Sequence, residues 1–421
     1  MIYMRDEMEK VQMKYKYIIL GAGPAGLTAA NMLIHKMGID SVLVLEYEKE
    51  AGGLCRSVEV DGSPFDIGGG HFLDVRRPEV NEFLFEFMPE EEWNIFNRDS
   101  RIEIHGGVIN YPIEANIWQM KLENQVDYLE KIATAGCNMG TEIPEKFVEW
   151  IYWKLGDEIA KNYMLPYNQK MFGDNLSQLG TYWLEKLPNV SFRETILSCL
   201  THKSYGEQPG HVKFYYPKKY GYGELWLRMA EKISEHMEYD KKVNSIDFEN
   251  MTVGCADGSK YSAERIISTI PWMEFEELAG MPEEIKSLIQ ELKYSSIQIE
   301  YYGENLETEA QWIYYPDLDL PYHRILVRSN FCTDSKGYWT ETNSERISME
   351  HKSGEYEYMN QYAYPLNTLN KPEIMEKLLS WCREKQVYGL GRWGEHQHYN
   401  SDLTVKLAMD MVKKIENDRL Q

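Results

Sequence analysis

Tyr15-Lys16-Tyr17-Ile18-Ile19-Leu20, followed by Gly21-Ala22-Gly23-Pro24-Ala25-Gly26, is the stretch on which the fold turns. Residues 15–20 read as a short buried strand, 28–36 as a helix and 41–45 as a second apolar strand, which together make a βαβ unit. The glycines fit GxGxxG. That pattern is weak alone, but here it follows a strand and opens a helix, the context it requires. Gly21 permits a tight turn, Gly23 lets the backbone approach a pyrophosphate, and Gly26 allows close helix–strand packing, with the helix N-terminus toward the phosphates. Glu46 lies 20 residues beyond Gly26, at the end of the second strand. A carboxylate there accepts hydrogen bonds from both ribose hydroxyls and repels a 2′-phosphate. A plain glycine turn is the bland alternative.

Outward from this unit, residues 79–87 look helical and 101–110 look like a hairpin turning at Gly106-Gly107. Residues 118–200 are mainly helical in pattern and rich in Trp, Tyr and Met. Strand character returns at 261–270 and breaks at Pro271. An amphipathic helix follows, with Ile285, Leu288, Ile289 and Leu292 at i, i+3, i+4, i+7. Ile297, Ile299 and Tyr301 alternate as a strand, and further strands are expected near 324–328 and 344–349. A helix at 371–384, a strand at 387–390 and a last helix at 402–415 close the chain. Strand-rich and helix-rich stretches interleave, as in a nucleotide-binding domain assembled from separated segments.

The chain has 421 residues, enough for two or three domain-sized units. Lys and Arg total 45 against 67 Asp and Glu, a net charge of −22, which argues against nucleic acid as a partner. An anionic ligand therefore needs a local cationic pocket set against the global charge. The six cysteines include no CxxC pair, which removes zinc-ribbon and dithiol readings and fits a reducing compartment. No apolar run approaches the ~18 residues of a spanning helix, and no signal-peptide core follows Met1, so a soluble, cytoplasmic protein is expected. No P-loop and no GxSxG elbow occurs. His396 and His398 stand at i, i+2 without a clear third ligand, so no metal site is expected.

Further motifs add a resemblance. Gly52-Gly53-Leu54-Cys55-Arg56-Ser57 resembles the GGxxR extension of the FAD-dependent amine oxidase and UDP-galactopyranose mutase superfamily. Ser268-Thr269-Ile270-Pro271 resembles the strand end that closes its FAD domain, and Gly391-Arg392-Trp393-Gly394 its last flavin segment. The resemblance implies FAD, held by Gly21, Gly23, Gly26, Glu46, Gly53, Arg56, Val243 (at the adenine-contact strand), Arg392, Asn400 and Ser401.

Within that superfamily several stretches are similar to the mutases. Asp66-Ile67-Gly68-Gly69-Gly70-His71 resembles the loop that sets a histidine against the flavin. Tyr111-Pro112-Ile113-Glu114-Ala115-Asn116 looks like YPxxxN. Residues 166–173, Pro-Tyr-Asn-Gln-Lys-Met-Phe-Gly, resemble PYNxKxW with Phe172 for the tryptophan. Tyr322-His323-Arg324 followed by Ser329-Asn330-Phe331 looks like YxR…SNY, Tyr364-Pro365-Leu366-Asn367 like YPIN, and Asn400-Ser401-Asp402 like the NQD opening the last helix. A helix N-terminus there can hold negative charge on the flavin.

The resemblance implies His71, Arg324, Lys186, Tyr364 and His398 as catalytic residues, and Tyr167, Phe172, Asn116, Arg324 and Tyr364 as substrate-binding ones. A planar guanidinium at 324 suits a diphosphate, whose oxygens it engages in pairs. Three positions depart from the family: His398 stands for a tyrosine, Lys186 for an arginine and Phe172 for a tryptophan. Lysine keeps the charge but loses the fork, and histidine adds pH dependence.

The implied fold is α/β. A discontinuous Rossmann-like FAD-binding domain (14–100, 206–275, 384–421) is joined by a helical lobe (118–205) and an antiparallel β-sheet substrate lobe (101–117, 276–383). The implied activity is a nucleotide-sugar pyranose–furanose mutase of the kind used in cell-surface polysaccharide biosynthesis. Reduced FAD attacks the anomeric carbon through N5 and a nucleoside diphosphate leaves. The substrate would be a UDP-sugar, NAD(P)H is a candidate reductant, and a homo-oligomer remains open. An FAD oxidoreductase of the amine oxidase or desaturase type, needing an electron acceptor every turnover, is the first alternative. A non-catalytic flavoprotein is the second.

Overall fold

Tyr17, Ile18, Ile19 and Leu20 are fully buried in the first strand, Lys14–Leu20. In the computed structural model, which describes residues 14–184, 187–206, 212–349 and 352–420, both neighbours run parallel to it. Ile19 lies opposite Val44 of Val42–Leu45 on one side and Ile267 of Lys260–Ser268 on the other. A strand covered on both faces carries no polar alternation, hence the continuous apolar run. These three strands are the centre of an eight-stranded sheet. Met237–Glu238 lies outside Val42–Leu45, while Thr252–Cys255, Val243–Asp247 and Glu277–Ala279 extend the far side, and Val387–Gly389 pairs with the end of Lys260–Ser268. Helix Pro24–Asn31 starts at Pro24, where a missing N–H costs nothing, and packs on the last helix, Ser401–Leu420.

A second sheet of seven strands runs in the order Tyr356–Pro365, Tyr294–Tyr302, Tyr338–Asn343, Tyr322–Leu326, Trp312–Tyr314, Ser100–Ile104, Gly107–Asn110. Its pairs are antiparallel except one: Trp312–Tyr314 joins Ser100–Ile104 in parallel, where the early hairpin is added to the edge. A small third sheet sets Lys213–Pro217 between Leu73–Asp74 and Trp93–Asn97. Helices Leu122–Ala133, Phe147–Ile159, Leu165–Phe172 and Phe192–Thr201 form the helical part. Among the described residues no helix is long and apolar enough to cross a membrane.

The structure departs from the expected elements in three places. Residues 344–346 form a 3₁₀ turn, because the Asn343 side chain accepts the Glu345 N–H at 3.0 Å; the strand lies just before it, Tyr338–Asn343. The strand expected at 324–328 ends at Leu326. The boundary expected at 275/276 falls inside the nucleotide-type sheet: Glu277–Ala279 pairs in parallel with Val243–Asp247, and Ile289, Ile374, Met375 and Leu378 share a core with Ile18 and Leu20.

The two-stranded hairpin Ser57–Val60/Ser63–Asp66 is tied to the seven-stranded sheet through Arg328, which is fully buried. Its guanidinium donates to Val60 O at 2.9 Å, Lys336 O at 2.8 Å and Tyr301 Oη at 2.6 Å, and lies 4.3 Å from the Tyr301 ring centroid. Val60 belongs to the hairpin Ser57–Val60/Ser63–Asp66 that leads to His71, so the tie sets where that loop emerges. Arg328→Ala strands these acceptors in the interior. Urea unfolding should show a loss of about 2–4 kcal/mol; a loss below about 0.5 kcal/mol would mean the tie is dispensable.

Candidate functional site

The first strand hands its chain to the helix through a turn that excludes side chains. Gly21 has φ +95°, and a Cβ on Gly26 would stand 2.0 Å from Gly21 O, against backbone that cannot yield. The Glu46 carboxylate reaches this turn: Oε2 accepts Ala22 N–H at 2.6 Å and Oε1 accepts Glu48 N–H at 2.9 Å. Burial pushes the Glu46 pKa up, and these two N–H groups oppose it. Arg56 donates to Glu48 and to Tyr358 Oη, both at 2.9 Å, and to Gly53 O at 3.2 Å. Gly21, Gly23, Glu46, Gly53, Arg56 and Val243 line one cavity of about 620 Å³. Gly26 lies beneath the turn.

A second cavity of about 600 Å³ adjoins the first, and Leu54, His71, Asn360, Arg392 and Ser401 line both. At this junction the Gly69 carbonyl can only accept, so His71 Nδ1 carries the proton it shares at 3.2 Å and Nε2 is left as an acceptor. Burial, with Arg392 nearby, pushes His71 down to about 3, so the ring is neutral at neutral pH. Arg392 donates to Ala363 O at 3.0 Å and twice to Tyr399 O, at 2.9 and 3.3 Å, and has no carboxylate partner among the described residues. Burial lowers its pKa, as expected of a cation short of counter-charge.

Arg324, Tyr364, His398, Tyr167 and Asn400 also line the second cavity. Arg324 Nη2 stands 2.7 Å from Glu341 Oε2 and 3.3 Å from Tyr364 Oη, and the His398 ring is 4.8 Å from that of Tyr364. Glu341 is fully buried. Burial pushes it up, but Arg324 and His323 outweigh that and hold it at about 2. His396 instead points to Lys293 O at 2.9 Å, and among the described residues no cluster is placed to hold a metal.

Two expected substrate contacts lie elsewhere. Asn116 is buried away from both cavities, donating to Pro112 O at 2.9 Å and accepting from Ser204 Oγ at 2.7 Å, so it latches its own loop. Phe172 packs on Trp183 and Tyr364 behind the cavity wall. Lys186 lies outside the described residues.

Sequence reading missed Arg76, Arg77, Arg98, Trp312 and Tyr314 of the second cavity. Leu73–Asp74 and Trp93–Asn97 both run antiparallel to Lys213–Pro217, hence parallel to each other. Their C-terminal ends therefore deliver Arg76, Arg77 and Arg98 to one edge of the small sheet. Asp74 pairs with Arg76 at 2.6 Å and Asp402 with Arg77. Arg98 lies 4.8 Å from the Trp312 ring centroid and donates to Tyr314 Oη at 2.7 Å. The adjacent Arg76-Arg77 pair just after His71 was the available signal, but only the strand pairing connects it with Arg98. Five arginines line this cavity, and no Asp or Glu does so among the described residues.

The chain belongs to the family of flavin-containing amine oxidoreductases, whose model matches residues 24–301. Its fold is that of UDP-galactopyranose mutase: a structure of the reduced mutase aligns with a TM-score of 0.85, covering 96% of this chain and 94% of that one at 21% identity. A putative protoporphyrinogen oxidase from Exiguobacterium aligns at TM-score 0.69 and 14% identity, over 97% of this chain and 100% of that one. A coproporphyrinogen III oxidase from Mycobacterium tuberculosis is 37% identical over 71 residues, 17% of this chain and 16% of that enzyme. The chain spans between 10% and 52% of the length of the curated relatives it matches.

The first cavity fits FAD on its own residues. It offers a glycine turn that any Cβ would fill, a helix N-terminus for a pyrophosphate, a buried carboxylate at the second strand's end, and a half-buried arginine short of counter-charge beside it. Glu46→Ala removes an acceptor from a buried ribose hydroxyl pair and should weaken FAD retention by about 1–3 kcal/mol, read as flavin released on dialysis. Retention equal to the parent's would place the ribose elsewhere.

Proposed function

We propose that this chain is a flavin-dependent nucleotide-sugar pyranose–furanose mutase acting on a UDP-sugar. The supporting observation is the second cavity: five arginines and, among the described residues, no lining carboxylate, in a chain of net charge −22, opening on the cofactor cavity at His71 and Arg392. Such a pocket suits a dianionic diphosphate, which the rest of the surface repels. Reduced FAD, when bound, supplies the nucleophile for the anomeric carbon.

The chain's own residues bind and orient. Arg324 and Tyr364 hold the diphosphate as it departs, with His398 beside them, and Lys186 is assigned to the same group on the sequence resemblance. Tyr167 offers a ring face to the base. His71, neutral and with Nε2 unprotonated, accepts a hydrogen bond at the junction and adds no positive charge there. Arg392 supplies a fixed positive charge beside the flavin, where it favours the anionic reduced form. Phe72, Trp312 and Tyr163 line the cavity and limit its water.

The family's oxidoreductases favour a second reading, in which the same cofactor accepts hydride from an anionic substrate and passes electrons to an acceptor. The two readings part on a nucleotide-sugar panel incubated with dithionite-reduced protein and followed by chromatography. The mutase reading expects interconversion of pyranose and furanose forms. Oxidised product formed by the oxidised protein when an electron acceptor is supplied, with no ring isomer from any sugar on the reduced protein, supports the second reading instead. Arg324→Ala should weaken UDP-sugar binding by about 2–4 kcal/mol, because the diphosphate loses a paired donor. Binding equal to the parent's in calorimetry would move the anion site away from Arg324.

A further inference from the structure

His323 occupies a bulge beside the diphosphate site. In the pairing of Tyr322–Leu326 with Tyr338–Asn343, Tyr322 faces Thr342 but Arg324 faces Glu341, so His323 is the extra residue. Regular alternation would point His323 and Arg324 to opposite faces of the sheet. The bulge lets both reach one carboxylate oxygen, Glu341 Oε2: Arg324 Nη2 at 2.7 Å and His323 Nε2 at 3.4 Å. His323 is fully buried, and among the described residues neither ring nitrogen makes a well-formed hydrogen bond, Nε2 keeping only the long contact to Glu341; Glu341 Oε1 and Arg324 Nε lack a partner there as well. A buried imidazole with one nitrogen unpartnered and the other only in a long contact with a buried ion pair is costly unless some state of the site uses it.

The charge count shows which state that is. With a neutral imidazole, Arg324 and Glu341 cancel. A diphosphate arriving at Arg324 then competes with Glu341 for one guanidinium in a buried setting, a net anionic cluster. We propose that His323 is a positioning residue for the anion site: it takes up a proton when a diphosphate engages Arg324, and as imidazolium it holds Glu341 so that the guanidinium can serve the ligand. This rests on the reading of the second cavity as a diphosphate site.

The groups facing His323 set the direction. Glu341 on the neighbouring strand favours its proton. Arg324 on its own strand, and Lys170 on the helix Leu165–Phe172, oppose it, and the Tyr167 ring of that helix packs against it at 5.7 Å. Burial keeps the free imidazole below its ordinary value. An arriving dianion raises it, so protons are taken up between the two values and binding tightens as pH falls through that window.

The test is calorimetric binding of UDP-galactose to the FAD-loaded protein between about pH 6 and 8, in two buffers of different ionisation enthalpy. The ligand carries no group that titrates near neutral pH. The parent should show buffer-dependent heat equal to uptake of a fraction of a proton, with affinity rising by up to about tenfold per pH unit as pH falls. His323→Asn should lose the uptake, whereas His398→Asn should keep it. Uptake that persists in His323→Asn places the proton on His398 or Lys170 and overturns the proposal. If His323→Asn and His323→Gln both fail to retain FAD, the parent decides alone: binding without buffer-dependent heat overturns it. Absence of UDP-galactose binding contradicts the diphosphate site itself, a separate failure.

Discussion

Five arginines must be kept from collapsing onto acids in a chain that has 67 of them, and the site depends on how that is done. Buried or half-buried guanidinium groups need acceptors. Here the carboxylate acceptors stand behind the cavity wall rather than in it, Asp74 for Arg76, Asp402 for Arg77 and Glu341 for Arg324, while Arg392 is held by backbone carbonyls and Arg98 by Tyr314 Oη. A guanidinium has five donors in a planar fork, so one edge can be held while another remains for a ligand. Point-charge lysines in the same places would be held or presented, but less readily both.

Each support comes from a different part of the fold, which explains the architecture. The small sheet brings Arg76, Arg77 and Arg98 to one edge. The seven-stranded sheet brings Arg324 and Glu341 face to face across two strands, through a bulge. The segment after Val387–Gly389 returns Arg392 beside the glycine turn and leads into the helix whose first turn holds Ser401 and Asp402. Arg328 locks the hairpin before His71 to the second sheet, so the junction between the cavities is set by backbone acceptors rather than by the ligands.

Much of this was legible in the sequence, for physical reasons. The GxGxxG turn and Glu46 could be read because local backbone geometry demands those residue types at those spacings, whereas Arg392 came from the resemblance of its segment to a family motif. The helix at 371–384 was legible to the residue, since its apolar face and flanks are local. Asn116 was assigned to substrate on a motif, yet its amide is used up by Pro112 O in its own loop and by Ser204 Oγ. The strand expected at 344–349 failed because Asn343 caps a turn, a side-chain hydrogen bond that hydropathy does not record. Glu341 and Arg98 could not be found at all. Their roles come from strand register, from Arg324 opposite Glu341 and from Trp312–Tyr314 laid against Ser100–Ile104, and no local pattern carries register across 200 residues.

The central claim is that this site uses reduced flavin without spending its electrons. The most direct measurement counts turnovers per reducing equivalent. FAD-loaded protein is reduced anaerobically with a stoichiometric amount of dithionite and mixed with excess UDP-galactose, while the flavin spectrum and the sugar ring form are followed together. The account predicts many furanose–pyranose interconversions per flavin, with the spectrum still that of reduced flavin at the end. No ring interconversion by the reduced protein, with product made only by the oxidised protein and in proportion to an electron acceptor added in a parallel sample, would contradict it.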